Sequence, residues 1–202
     1  MNERDDWPIL EGLVTTRDPD GSPHLAPMGP RVSPDWSRLL FRPFPTSHTG
    51  RNLIRDRQGV LHVTDDVGLI ARAALGEVVE PPGYEPARTV EGFVISDACR
   101  AIEFRVREVD DSRERIHLDA EVVLVRPMRD FFGFNRAKHA VLEAAILATR
   151  FEFLDSDDVR AEFGRLAVIV SKTAAAAERE AFRFLEAKLS QHLRGKDEHG
   201  AS

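Results

Sequence analysis

Apolar and polar positions alternate in short runs along roughly the first 125 residues, which is the period of half-buried strands. Residues 9–16 (ILEGLVTT) form the first such run. They end in RDPDGS at 17–22, whose Asp, Pro and Gly favour a tight turn. Residues 24–28 read as the returning strand, closed by Gly29 and Pro30. Residues 38–44 (RLLFRPF) make a third strand that Pro43 and Pro45 stop, and 59–64 (GVLHVT) a fourth. Residues 98–109 and 115–125 flank Asp110, Asp111 and Ser112 and predict a long hairpin. Two short helices interrupt the strands, one over 49–56 after a Ser/Thr cluster and one over 65–75 after two aspartates. Residues 76–92, with three prolines, predict a long surface loop.

After Pro127 the period lengthens. Residues 129–150 carry Ala, Leu and Ile at helical spacing without proline, and 174–193 place Phe182, Leu185 and Leu189 on one face. Ser156, followed by Asp157 and Asp158, starts another helix; the run 166–170 (LAVIV) fits a buried helix or a strand equally. The last nine residues are polar and expected to fray. The expected architecture is α+β: an antiparallel barrel or sandwich over residues 1–126, then a helical part over 127–202.

Charge narrows the function classes. With 28 basic and 34 acidic residues the net charge is -6, which disfavours nucleic acid as a partner. The start MNERDDWPIL has no apolar stretch of the kind a secretory signal requires, and no window is apolar enough to span a bilayer. A cytoplasmic protein without membrane contact is expected. Cys99 is the only cysteine, inside an expected strand, so it reads as a buried structural thiol. The histidines show no HExxH or i, i+2 or i, i+4 pairing, and no G-x-S-x-G elbow exists, so neither a metal nor an acyl-transfer nucleophile is expected.

Three stretches remain as candidate chemistry. RPFPTSHTGRNL (42–53) puts hydroxyls and two arginines between a strand and a helix start, where free amides and a partial positive charge suit a phosphate. An ordinary Ser/Thr-capped helix with surface arginines fits the same residues. DFFGFNRAKHA (130–140) is either a core-anchoring helix start or an aromatic wall for a flat ligand. HLAPMGPRV (24–32) is either a rigid turn or a loop whose small residues let a ring approach the backbone.

Together these stretches, with ILEGLVTT, GVLHVTDD and DACRAIEFRV, resemble the domain of unknown function 447 family. That family lies in the FMN-binding split β-barrel superfamily, beside flavin reductases and pyridoxamine-phosphate oxidases. The resemblance runs from about residue 9 to residue 184. It implies a split barrel followed by helices, a homodimer, and FMN at or near the subunit interface. It further implies that Thr46, Ser47, His48, Thr49, Arg51 and Asn52, with Arg42 before them, hold the phosphate. The isoalloxazine would lie against Ala26, Pro27, Met28 and Gly29. The implied activity is that of an oxidoreductase of flavin-reductase type, working with a small-molecule electron donor or substrate. The alternative is a non-catalytic flavin-binding or sensing module whose helical part meets a protein partner.

Overall fold

The alternating segments pair into a seven-stranded antiparallel sheet in the computed structural model, which describes residues 3–200. Its strands are β1 (Gly12–Arg17), β2 (Pro23–Met28), β3 (Arg31–Val32), β4 (Arg38–Phe41), β5 (Gln58–Val63), β8 (Arg100–Asp110) and β9 (His117–Pro127). Their order is β2-β1-β5-β8-β9-β4-β3. The 17–22 turn closes the β1–β2 hairpin through Gly21 N–H to Asp18 C=O at 2.8 Å, with Gly21 at φ 88. β4 ends at Phe41, three residues before the expected limit, because Pro43 has no N–H for a ladder. Two register shifts in the β8–β9 hairpin, at Glu103/Phe104 and Val106/Glu108, bend the strands and help the sheet curl toward a half-barrel.

The concave core of this first unit (Met1–Thr64 and Glu80–Phe131) gathers Val14, Leu39, Phe41, Leu61, Phe104 and Leu118. The rings of Phe41 and Phe104 lie 4.7 Å apart. Helix α1 (His48–Asp56) buries Leu53 in the same cluster, which fixes the orientation of its N-terminal turn. The expected surface loop over 76–92 is partly structured: β6 (Tyr84–Pro86) pairs with β7 (Phe93–Ile95). Glu103, 1% exposed, accepts the amides of Arg88, Thr89 and Val90 and the Thr89 hydroxyl. Burial pushes its carboxyl up, and these donors more than reverse the shift.

The second unit comprises Asp65–Val79 and Phe132–Ser202. It contains α2 (Val67–Ala74), α3 (Arg136–Ala148), α4 (Ser156–Thr173) and α5 (Ala176–Gly200). Val67 and Ala71 of α2 share one core with Ala144, Phe163, Phe182 and Leu185. The 166–170 run is helix throughout, because Leu166 and Val170 face that core one turn apart while Val168 is exposed. α3 starts at Arg136 instead of residue 129, since Asn135 caps it and Gly133 at φ 103 breaks the backbone before it. The final helix continues past 193 to Gly200, contrary to the expected fraying; Ala201 and Ser202 lie outside the described residues.

Candidate functional site

The chain leaves β4 through Arg42 and Pro43 and turns into α1 at Ser47. Ser47 is extended (φ -64, ψ 129), and its Oγ accepts the Gly50 amide at 3.2 Å. Gly50 has a packing reason: a Cβ there would stand 3.1 Å from Pro43, so glycine lets the loop lie against the first helical turn. The Arg51 amide closes onto Ser47 C=O. Among the described residues the amides of His48 and Thr49 have no acceptor, as the first turn of a helix requires unless a side chain intervenes. The Arg51 guanidinium folds back to donate to Thr46 C=O at 2.8 Å, and Thr46 is exposed. Hydroxyls, a guanidinium and two open amides therefore share one end of α1.

The inner face of that turn is already used. Thr49 and Asn52 are buried (3% and 1% exposed). The Asn52 amide donates to Thr16 Oγ1 at 3.1 Å and to Asp18 Oδ1 at 2.8 Å. Thr49 Oγ1 lies 3.1 Å from His24 Nε2 on β2. His48 Nε2 lies 2.9 Å from Asp18 Oδ1, and the His24 and His48 rings are 4.2 Å apart. Burial lowers the pKa of His24, the adjacent His48 lowers it further, and Asp18 draws it partly back.

The expected phosphate residues thus divide. Thr46, Ser47, His48 and Arg51 stand at the open end of α1, with Arg42 half-buried on the approach to it, while Thr49 and Asn52 are committed to the interior. Ala26, Pro27 and Met28 belong to strand β2 and not to a loop; Gly29 alone follows it. β2 is an edge strand, the place where Pro23 and Pro27 are tolerated. Sequence reasoning missed Asp18 and His24 as site residues. Asp18 was fully accounted for by its turn, and pairing rules for histidine see only ligands on one element, whereas Asp18, His24 and His48 come from three. Cys99 is buried, as expected.

The aromatic stretch is neither core nor an enclosed wall. Phe131, Phe132 and Phe134 are 48%, 70% and 96% exposed. Asn135 accepts the amides of Ala137 and Lys138, and beside it lies a shallow cavity of about 300 Å³ lined by Phe134, His139, Leu166 and Ile169. Among the described residues, no helix is long and apolar enough to cross a membrane.

Comparison with known proteins adds the family. An FMN-bound protein from Methanosarcina mazei is 21% identical, with a TM-score of 0.77 over 90% of this chain and 95% of that one. The 2-nitrobenzoate 2-nitroreductase of Pseudomonas fluorescens is 20% identical, with a TM-score of 0.50 over 61% of this chain and 66% of that one. These likenesses establish the split-barrel fold. No curated protein matches the chain. The family described as protein of unknown function (DUF447) matches residues 10–127 with its N-terminal domain and 135–187 with its second part, and this protein belongs to it.

Proposed function

We propose that this protein binds FMN and works as a cytoplasmic, homodimeric oxidoreductase of flavin-reductase type on a small molecule. The observation that carries the reading is the open N-terminus of α1, where two unspent amides meet Thr46, Ser47 and the Arg51 guanidinium. That donor set fits a terminal phosphate by charge and by hydrogen-bond count. The FMN-bound state of the similar Methanosarcina mazei protein supports it.

In this reading Arg42 and Arg51 neutralise the phosphate, and Thr46 and Ser47 direct hydroxyls at its oxygens. The edge strand β2 offers Ala26, Pro27 and Met28, then Gly29, as the face along which a flat ring lies. FMN, when bound, supplies hydride and electron transfer, so the chain itself need only bind, orient and exclude water.

Protein purified and reconstituted with FMN should be yellow and lose flavin on denaturation. Thr46→Ala combined with Arg51→Ala, both outside the core, should weaken FMN by about 3–6 kcal/mol, since hydrogen bonds to a charged group contribute about 1.5–3 each. Unchanged affinity in that double variant would place the phosphate elsewhere. Rapid mixing with NADH and NADPH then separates a reductase from a module that only holds the flavin.

A further inference from the structure

Asp18, His24 and His48 reach one another from the turn after β1, from β2 and from the first residue of α1. One donor atom of each lies within 4.8 Å of the other two. We infer that these three side chains form a binding site for a divalent transition-metal ion of the zinc type. The inference does not depend on flavin binding.

The donor set selects the ion. Two imidazole nitrogens and one carboxylate oxygen suit Zn²⁺, Co²⁺ or Ni²⁺, whereas Mg²⁺ and Ca²⁺ want oxygen alone. Around a tetrahedral ion with bonds of about 2.0–2.1 Å, neighbouring donors stand about 3.3 Å apart. His48 Nε2 and Asp18 Oδ1 already lie 2.9 Å apart. None of the remaining separations exceeds 4.8 Å. His48, whose side chain is 48% exposed, has room to turn toward His24, while the His24–Asp18 separation closes through the half-buried His24 and Asp18 side chains themselves.

The surroundings match those of a working ligand set. The buried Asn52 amide holds Asp18 Oδ1 from the protein side and is itself fixed on Thr16, which is how outer-shell partners orient a ligating carboxylate. Charge agrees as well. A lone carboxylate beside the positive end of α1 opposes any anion there; with a dication, the Asp18–His24–His48 group becomes net positive and reinforces the open amides. Three protein ligands leave a fourth position for water or an anion.

The test uses tag-free, full-length protein stripped of flavin and treated with chelator, titrated with Co²⁺ and Zn²⁺ and with Mg²⁺ as a comparison. The expected result is one equivalent of Co²⁺ giving the visible absorption of a four- or five-coordinate ion, displaced by Zn²⁺, with no uptake of Mg²⁺. His48→Gln and Asp18→Asn should each weaken binding at least about tenfold, the minimum typical even of outer-shell losses. His139→Gln, an exposed histidine on α3, should leave it unchanged. Absence of saturable uptake overturns the site, and so does uptake undiminished in His48→Gln, a half-exposed position where folding is not at issue.

Discussion

Two helix starts in this protein, α1 and α3, carry the same kind of cap and treat it differently. Ser47 at α1 accepts one amide, from Gly50, and leaves those of His48 and Thr49 open. Asn135 at α3 accepts two, from Ala137 and Lys138, and its own amide donates to Thr173 C=O. The Lys138 side chain in that same turn is tied to Glu178 at 2.8 Å and to Asp65 C=O at 2.7 Å. The end of α3 is closed by the chain; that of α1 is left with donors to spare. A helix N-terminus becomes a binding site through what its neighbours leave unspent.

Breaking the closed end should have the largest effect. Glu178→Ala removes the carboxylate partner of the Lys138 ammonium, 18% exposed, which keeps only the Asp65 C=O, and leaves the Ala175 amide without its acceptor. A loss of about 3–4 kcal/mol in denaturant unfolding is expected, with FMN affinity unaltered. Burial pushes the Glu178 carboxyl up, but Lys138 and the Ala175 amide hold it below the usual range, so the carboxylate is the native form.

The same contrast can be read in histidine. His62 is fully buried with both nitrogens engaged: Nδ1–H donates to Leu13 C=O, and Nε2 accepts the Ile95 amide. Burial disfavours the charged ring and the Arg126 charge adds to this, more than offsetting the Leu13 C=O, so the pKa falls from 6.5 to about 4. The unfolded chain therefore binds the proton first. Stability from this group is complete above pH 6.5 and is lost as pH falls toward 4, by about 3 kcal/mol. His62→Gln should flatten that part of the pH–stability curve; an unchanged slope would reassign it.

The smallest effects sharpen the comparison most. Asn135→Ala and Ser47→Ala should each cost about 1 kcal/mol of stability, the usual value of a lost cap. Only the second should weaken FMN, measured by fluorescence titration. Equal effects on the flavin would erase the distinction between the two helix ends.

The elements were largely legible in the sequence, because alternation and turn chemistry are local. The hairpin around Asp110–Ser112 and the capped helix after Ser47 follow from a few neighbouring residues. The start of α3 was not legible, since the apolar Phe131, Phe132 and Phe134 mimic helical periodicity while standing largely in solvent. Nor was the split of the 42–53 stretch. Which of Thr46 and Thr49 turns outward depends on His24 and Asp18, more than twenty residues away in the chain. Spacing cannot see a cluster assembled from a turn, a strand and a helix.

Helix α2 has a consequence for how this chain is made. Its Val67 and Ala71 complete a core whose other members are all translated after the last sheet strand. The segment must wait, exposed on the growing chain, until α3, α4 and α5 emerge to cover it. A cut anywhere after β9 leaves the helical fragment missing a wall, so the two units cannot be expressed apart by a single break in the gene.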